Sequence, residues 1–133
     1  MILSHRIYTS TLIGISGASV MCAMSFGRVE PAMAMIAGAG AFFAGLPVAG
    51  LFGGQGRKSA LAAGAGAVMA TGLGAILAGV VLALGTGFPG AVAVAPAAVF
   101  GAILSKPLAA LTWACSMAGV HFLTQLARDE AAF

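Results

Sequence analysis

The sequence predicts an all-α membrane protein, a polytopic transmembrane helix bundle, and three observations carry that prediction. Apolar residues make up 61% of the 133-residue chain and charged residues only 7%. A soluble domain carries about 25% charged residues, and six Lys and Arg with three Asp and Glu cannot cover a water-facing surface. The mean hydropathy is +1.09, which suits a surface solvated by lipid. Finally, the few charges divide the chain into apolar runs of about 20 residues. That is the length that crosses about 30 Å of hydrocarbon at about 1.5 Å per residue.

The runs can be read in order. Ile7 to Phe26 is the first, ended by Gly27, Arg28 and Glu30. The residues before it, Met1–Arg6, resemble the basic start of a signal peptide. The small-residue cleavage pattern is poor around Ala18–Val20 and Cys22–Met24, so a retained first span is expected. Pro31 to Phe52 is the second run, and Pro31 suits a first helical turn, where its missing N–H is not needed. Gly53-Gly54-Gln55-Gly56-Arg57-Lys58-Ser59 is the clearest loop. Ala60 to Leu84 is the third run, broken without any charge by Gly85–Gly90. The fourth, from Pro89 to Ser105, reaches about 25 Å as a helix and carries Pro96 in its middle. The last is Leu108 to Ala127, ended by Arg128, Asp129 and Glu130.

The expectation is a single domain, 1–133, with five spans at 7–26, 31–52, 60–84, 89–105 and 108–127. The alternative is four spans with the fourth run re-entrant. Lys and Arg concentrate on cytoplasmic loops. With a cytoplasmic N-terminus and five spans, Arg6, Arg57, Lys58 and Lys106 lie inside, and Arg28 and Arg128 outside. With four spans, Arg128 and Lys106 exchange sides. Either count gives four against two and favours a cytoplasmic N-terminus, so the rule leaves the number of spans open. Arg57 and Lys58 are the expected topology anchors, in contact with anionic headgroups.

Small residues fill the spans. Between helices in lipid there is little hydrophobic drive, so association depends on close backbone approach. Gly14, Gly17, Gly38, Gly45, Gly64, Gly72 and Gly79 are the expected helix-packing positions. The second and third spans, joined by a short loop, are expected to form a tight antiparallel hairpin. Ala-Gly-Ala-Gly-Ala occurs at 37–41 and again at 63–67, a recurrence expected by chance in such a composition.

Chemistry-bearing residues are sparse. No Lys, Arg, Asp or Glu lies near the centre of an apolar run, whereas pumps and proton-coupled carriers keep an ionisable group at depth. His5 precedes the first span. His121 lies within the last, and is either an axial ligand to haem or a partner to quinone, or a histidine hydrogen-bonded between helices. Cys22 and Cys115 each sit in an apolar run and read as small buried hydrophobes. The Gly53–Ser59 loop lacks the glycine-lysine step and preceding strand of a phosphate loop. Gly85, Gly87 and Gly90 match a dinucleotide spacing without any βαβ unit around them. The hydroxyls of the first span, from Thr9 to Ser25, could line a narrow pore or bond back to their own helix. Tyr8, Phe26, Phe52 and Phe88 fall near the expected interfaces, and Trp113 lies about two turns inside the last span.

There is no nucleophile with a base at readable spacing, no paired carboxylate and no metal cluster. The expectation is therefore no enzyme, no metal and no cofactor, with haem or quinone at His121 as the alternative. The net charge of +3 is dispersed between apolar runs, so nucleic acid is not an expected partner. The expected partners are the lipid bilayer and other membrane subunits or further copies of the chain. The Ala- and Gly-rich composition suggests a bacterial inner (cytoplasmic) membrane, crossed several times. The leading functional expectation is an accessory or assembly subunit of a larger membrane complex. The alternatives are a small oligomeric channel or carrier, then a haem- or quinone-binding anchor through His121.

Overall fold

The computed structural model describes residues 2–25, 28 and 30–131; Phe26 and Gly27, at the expected end of the first span, lie outside them. Five α-helices follow one another: α1 Ile2–Met24, α2 Pro31–Val48, α3 Arg57–Thr86, α4 Ala91–Ser105 and α5 Pro107–Ala131. A 3-10 turn at Ala49–Leu51 extends α2. There is no strand among the described residues. Four helices are long and apolar enough to cross a membrane: α1, α2 with its extension, α3 and α5. The remaining helix, α4, has 15 residues and is about 22 Å long.

The helices overrun the apolar runs at their charged ends. α1 already includes His5 and Arg6, and α5 continues through Arg128, Asp129 and Glu130. Backbone hydrogen bonding does not stop where hydrocarbon stops, and Arg and Glu are good helix formers. Proline and glycine set the other limits. Pro31 and Pro107 open α2 and α5, where no N–H is missed. Gly87 closes α3 with a left-handed φ of 70° and donates its N–H to the Ala83 carbonyl. Pro96 lies inside α4, which continues past it.

Each helix packs against its neighbours in sequence, α1 on α2, α2 on α3, α3 on α4 and α4 on α5, and α5 returns to α1. The contact between α4 and α5 is the slightest of the ring. Hydrogen bonds fix the direction of α5. Arg128 Nε donates to His5 Nε2 at 2.8 Å, the Thr9 and Thr124 hydroxyls lie 3.4 Å apart, and those of Ser16 and Ser116 lie 2.6 Å apart. Partner numbers fall along α5 as they rise along α1, so the two helices are antiparallel and His5 and Arg128 share one end of the bundle.

The fourth helix does not reverse that arrangement. It starts with Ala91 and Val92 against Gly79 in the second half of α3. It ends where Lys106 Nζ donates to the Met24 carbonyl at 2.7 Å, at the last residue of α1. Both ends of α4 therefore lie toward the end of the bundle opposite His5, called the far end below. Arg6, Arg57, Lys58 and Arg128 belong to the N-terminal end, and Arg28 and Lys106 to the far end.

Small side chains point inward and large ones outward. The buried apolar residues are mostly alanines, including Ala41, Ala44, Ala67 and Ala70, whereas Leu104 is 87% and Leu84 83% exposed. This reverses the soluble pattern. Lipid accepts large apolar side chains as well as a core does, while helix contact in lipid rewards small residues.

Candidate functional site

The seams explain how the interior is shaped. Gly14 and Gly38 face each other across α1 and α2: a Cβ on either would lie 3.1–3.2 Å from the other's carbonyl oxygen. One turn along α1, a Cβ on Gly17 would meet the Ala41 methyl at 2.5 Å. Gly45 is held equally close to Ser10 and Ile13. On the other side of α2, Gly40 and Gly74 bring α2 against α3, and Gly79 brings α3 against α4. Gly72 makes only ordinary contact with the Phe100 ring, and Gly64 has nothing within 4 Å of where its Cβ would stand. Gly64, expected at a seam, therefore faces away from the bundle. Gly40, Gly66 and Gly74 take up close-packing positions as well.

The N-terminal half of the bundle is filled. Phe52, Ile13, Thr9, Thr124 and Ser10 are its largest fully buried side chains. Val48, Met117 and Val120 complete the cluster around Phe52. The Phe52 ring would lie 3.0 Å from a Cβ on Gly66, so glycine in α3 is what admits it. Phe52 thus belongs to the core and not to the interfacial belt.

The far half is hollow. A partly open cavity of about 310 Å³ lies among all five helices. Its floor is Ile13, Ala41 and Met117, and its walls rise to Met24, Met33 and Leu82. Almost the whole lining is apolar. The two polar side chains in it satisfy each other: Trp113 Nε1 donates to Thr71 Oγ1 at 2.8 Å, and Thr71 donates to the Ala67 carbonyl at 2.7 Å. This pairing joins α3 to α5 and fixes the indole in the cavity wall.

The hydroxyls of α1 are engaged in the same way. Thr9, Thr11 and Ser19 donate to the carbonyls four residues earlier, and Ser16 bridges to Ser116. Ser10 Oγ is buried without a partner among the described residues. Cys22 is half-buried and Cys115 exposed, and both are free thiols.

The chain matches no protein-family model, no curated protein and no solved structure.

His121 acts between helices. Its Nδ1 accepts the N–H of Gly53 at 3.1 Å, at the first residue of the loop before α3. Gly53 has a left-handed φ of 76°, and a Cβ there would lie 2.6 Å from the Thr124 methyl. Gln55 Nε2 adds a hydrogen bond to Asp129 Oδ1 at 3.4 Å. The loop is thus seated on α5. Accepting that N–H commits the Nδ1 lone pair of His121 to the loop. His121→Leu leaves the buried Gly53 N–H unpaired, which costs about 1–3 kcal/mol. The expected result is a lower melting temperature in detergent and faster tryptic cleavage at Arg57 and Lys58. Unchanged cleavage would mean that the loop is held by other contacts.

Proposed function

We propose that this chain is a non-enzymatic multi-pass subunit of a bacterial inner membrane, serving assembly or support of a larger membrane complex. In this reading α1, α2, α3 and α5 cross the bilayer, α4 re-enters from the far side, and the N-terminal end faces the cytoplasm. The observation that carries the proposal is the chemical silence of the interior. Every Lys, Arg, Asp and Glu among the described residues lies at or beyond a helix end, and the polar groups of the cavity are paired with each other. A coupled carrier needs an ionisable group at depth. An assembly subunit needs only shape and apolar contact, which Ala- and Gly-rich helices supply.

The antiparallel pairing of α1 with α5 supports four crossings. The division of cations, Arg6, Arg57, Lys58 and Arg128 against Arg28 and Lys106, supports a cytoplasmic N-terminus. The topology is tested with single cysteines in a Cys22→Ala, Cys115→Ala background, probed by a membrane-impermeant maleimide in right-side-out vesicles. Arg28→Cys and Lys106→Cys are expected to label, and Lys58→Cys and Glu130→Cys only after permeabilisation. Five crossings would instead put positions 106 and 130 on exchanged sides. The functional proposal is tested by purification in mild detergent at native expression level. A stoichiometric set of larger membrane subunits is expected to travel with the chain, and a homogeneous homo-oligomer would overturn the proposal.

A further inference from the structure

We propose that the far-end cavity holds one acyl chain of a bilayer phospholipid, whose phosphate sits by Lys106. An apolar cavity of about 150 Å³ takes benzene, with its six carbons; about 310 Å³ is roughly twice that and accommodates about a dozen carbons.

Along α3 the lining extends from Ala70 to Leu82, about 18 Å at about 1.5 Å per residue. A space of that length suits a chain and not a compact ring system. It is closed at the N-terminal end by the cluster around Phe52 and Ile13, so it is a blind slot in which a chain can end, not a passage.

A buried water needs two to four polar partners. The one lining hydroxyl among the described residues, on Thr71, already donates to Ala67 and accepts from Trp113. Water gains little there, and an apolar occupant gains dispersion contact with the walls. Met21, Met24, Met33 and Met117 line the slot, four of the seven methionines in the chain. Thioether side chains adapt to a flexible occupant at little cost.

The rim selects the headgroup. Lys106 Nζ is bonded to the carbonyl of Met24, itself a lining residue, so a positive charge stands where the slot meets the headgroup region. Anionic phospholipid is the chemistry that complements it. The slot does not depend on whether the chain serves a larger complex.

Trp113, the only tryptophan in the chain, provides the readout because it forms part of the wall. The purified full chain in detergent is titrated with phosphatidylglycerol brominated along its acyl chains. Saturating quenching at one lipid per chain is expected. Ala98→Phe, which projects a ring into the slot, is expected to weaken binding at least tenfold, whereas Leu123→Phe, on the outer face of α5, leaves it unchanged. Lys106→Gln is expected to weaken phosphatidylglycerol several-fold and to weaken brominated phosphatidylcholine less, because choline offsets the charge of its phosphate. Quenching that never saturates, or that is equal in Ala98→Phe, would overturn the proposal. Native mass spectrometry of the unmodified protein gives a second decision that needs no variant. One retained phospholipid per chain is expected, and an empty protein or a retained isoprenoid quinone would refute it.

Discussion

Phe52→Ala is expected to be the most destabilising single truncation in the chain, at about 3–5 kcal/mol. The ring is 0% exposed and sits at the centre of the filled half of the bundle, among Ile13, Val48, Met117 and Val120. In water part of such a loss comes from transfer of the ring out of solvent. Here the unfolded helices remain in lipid or detergent, which solvates a phenyl ring well. What is lost is the dispersion contact of a close-packed site and the filling of the space it leaves. The lower part of the range, about 3 kcal/mol, is therefore the better expectation. Gly66 cannot fill the space, because it has no side chain to offer. Phe88→Ala is the matched control. Phe88 stands at the mouth of the slot and is 57% exposed, so its loss should fall within about 0.5 kcal/mol of neutral. Unfolding by sodium dodecyl sulfate titration from mixed micelles measures both. Equal effects at the two positions would mean that the N-terminal half is not the packed core.

Much of the helix layout was legible because lipid makes charges and turn formers informative. The three expected breaks fall between helices, but they are shorter than the sequence suggests: α3 already begins at Arg57 and runs through Thr86, and Lys106 alone separates α4 from α5. The shortness of the Pro89–Ser105 run was also legible, and it corresponds to the one helix below spanning length among the described residues. The inward faces were not legible. In a soluble helix the polar face shows by contrast which side is buried. Around α3 both faces are apolar, so Val68 and Met69 on the outside and Ala67 and Ala70 on the inside look equally suited to either. His121 was recognised as the polar group worth attention in α5, but its partner, the backbone N–H of Gly53, leaves no mark in a sequence. The cavity was illegible for a related reason, since it is a space between helices and no residue encodes it alone. Trp113 and Thr71 gave the available hint, as two groups able to hydrogen-bond within apolar runs.

The repeated pentapeptide offers the sharpest test of that lesson, because the same substitution between the same two alanine neighbours should have opposite consequences. Gly40 is the fourth residue of the copy at 37–41, and Gly64 the second of the copy at 63–67. A Cβ on Gly40 would stand 2.6 Å from the Gly74 carbonyl oxygen and 3.3 Å from the Ala78 nitrogen. Both are backbone atoms of α3, so no side-chain rotation relieves the overlap and the two helices must separate. Overpacking of this kind costs about 1–3 kcal/mol. Alanine's better helix propensity returns at most about 1 kcal/mol of that. Gly40→Ala is therefore expected to destabilise the bundle. Gly64→Ala meets nothing within 4 Å and keeps only the propensity term, so it is expected to be neutral or stabilising by up to about 1 kcal/mol. The same detergent titration reads both variants. A double variant with Gly74→Ala should depart from additivity, since Gly40 and Gly74 share one contact. If Gly40→Ala were as benign as Gly64→Ala, then α2 and α3 would not approach through this pair of glycines. The seam that places Ala41 and Gly74 in the cavity wall would then have to be drawn elsewhere.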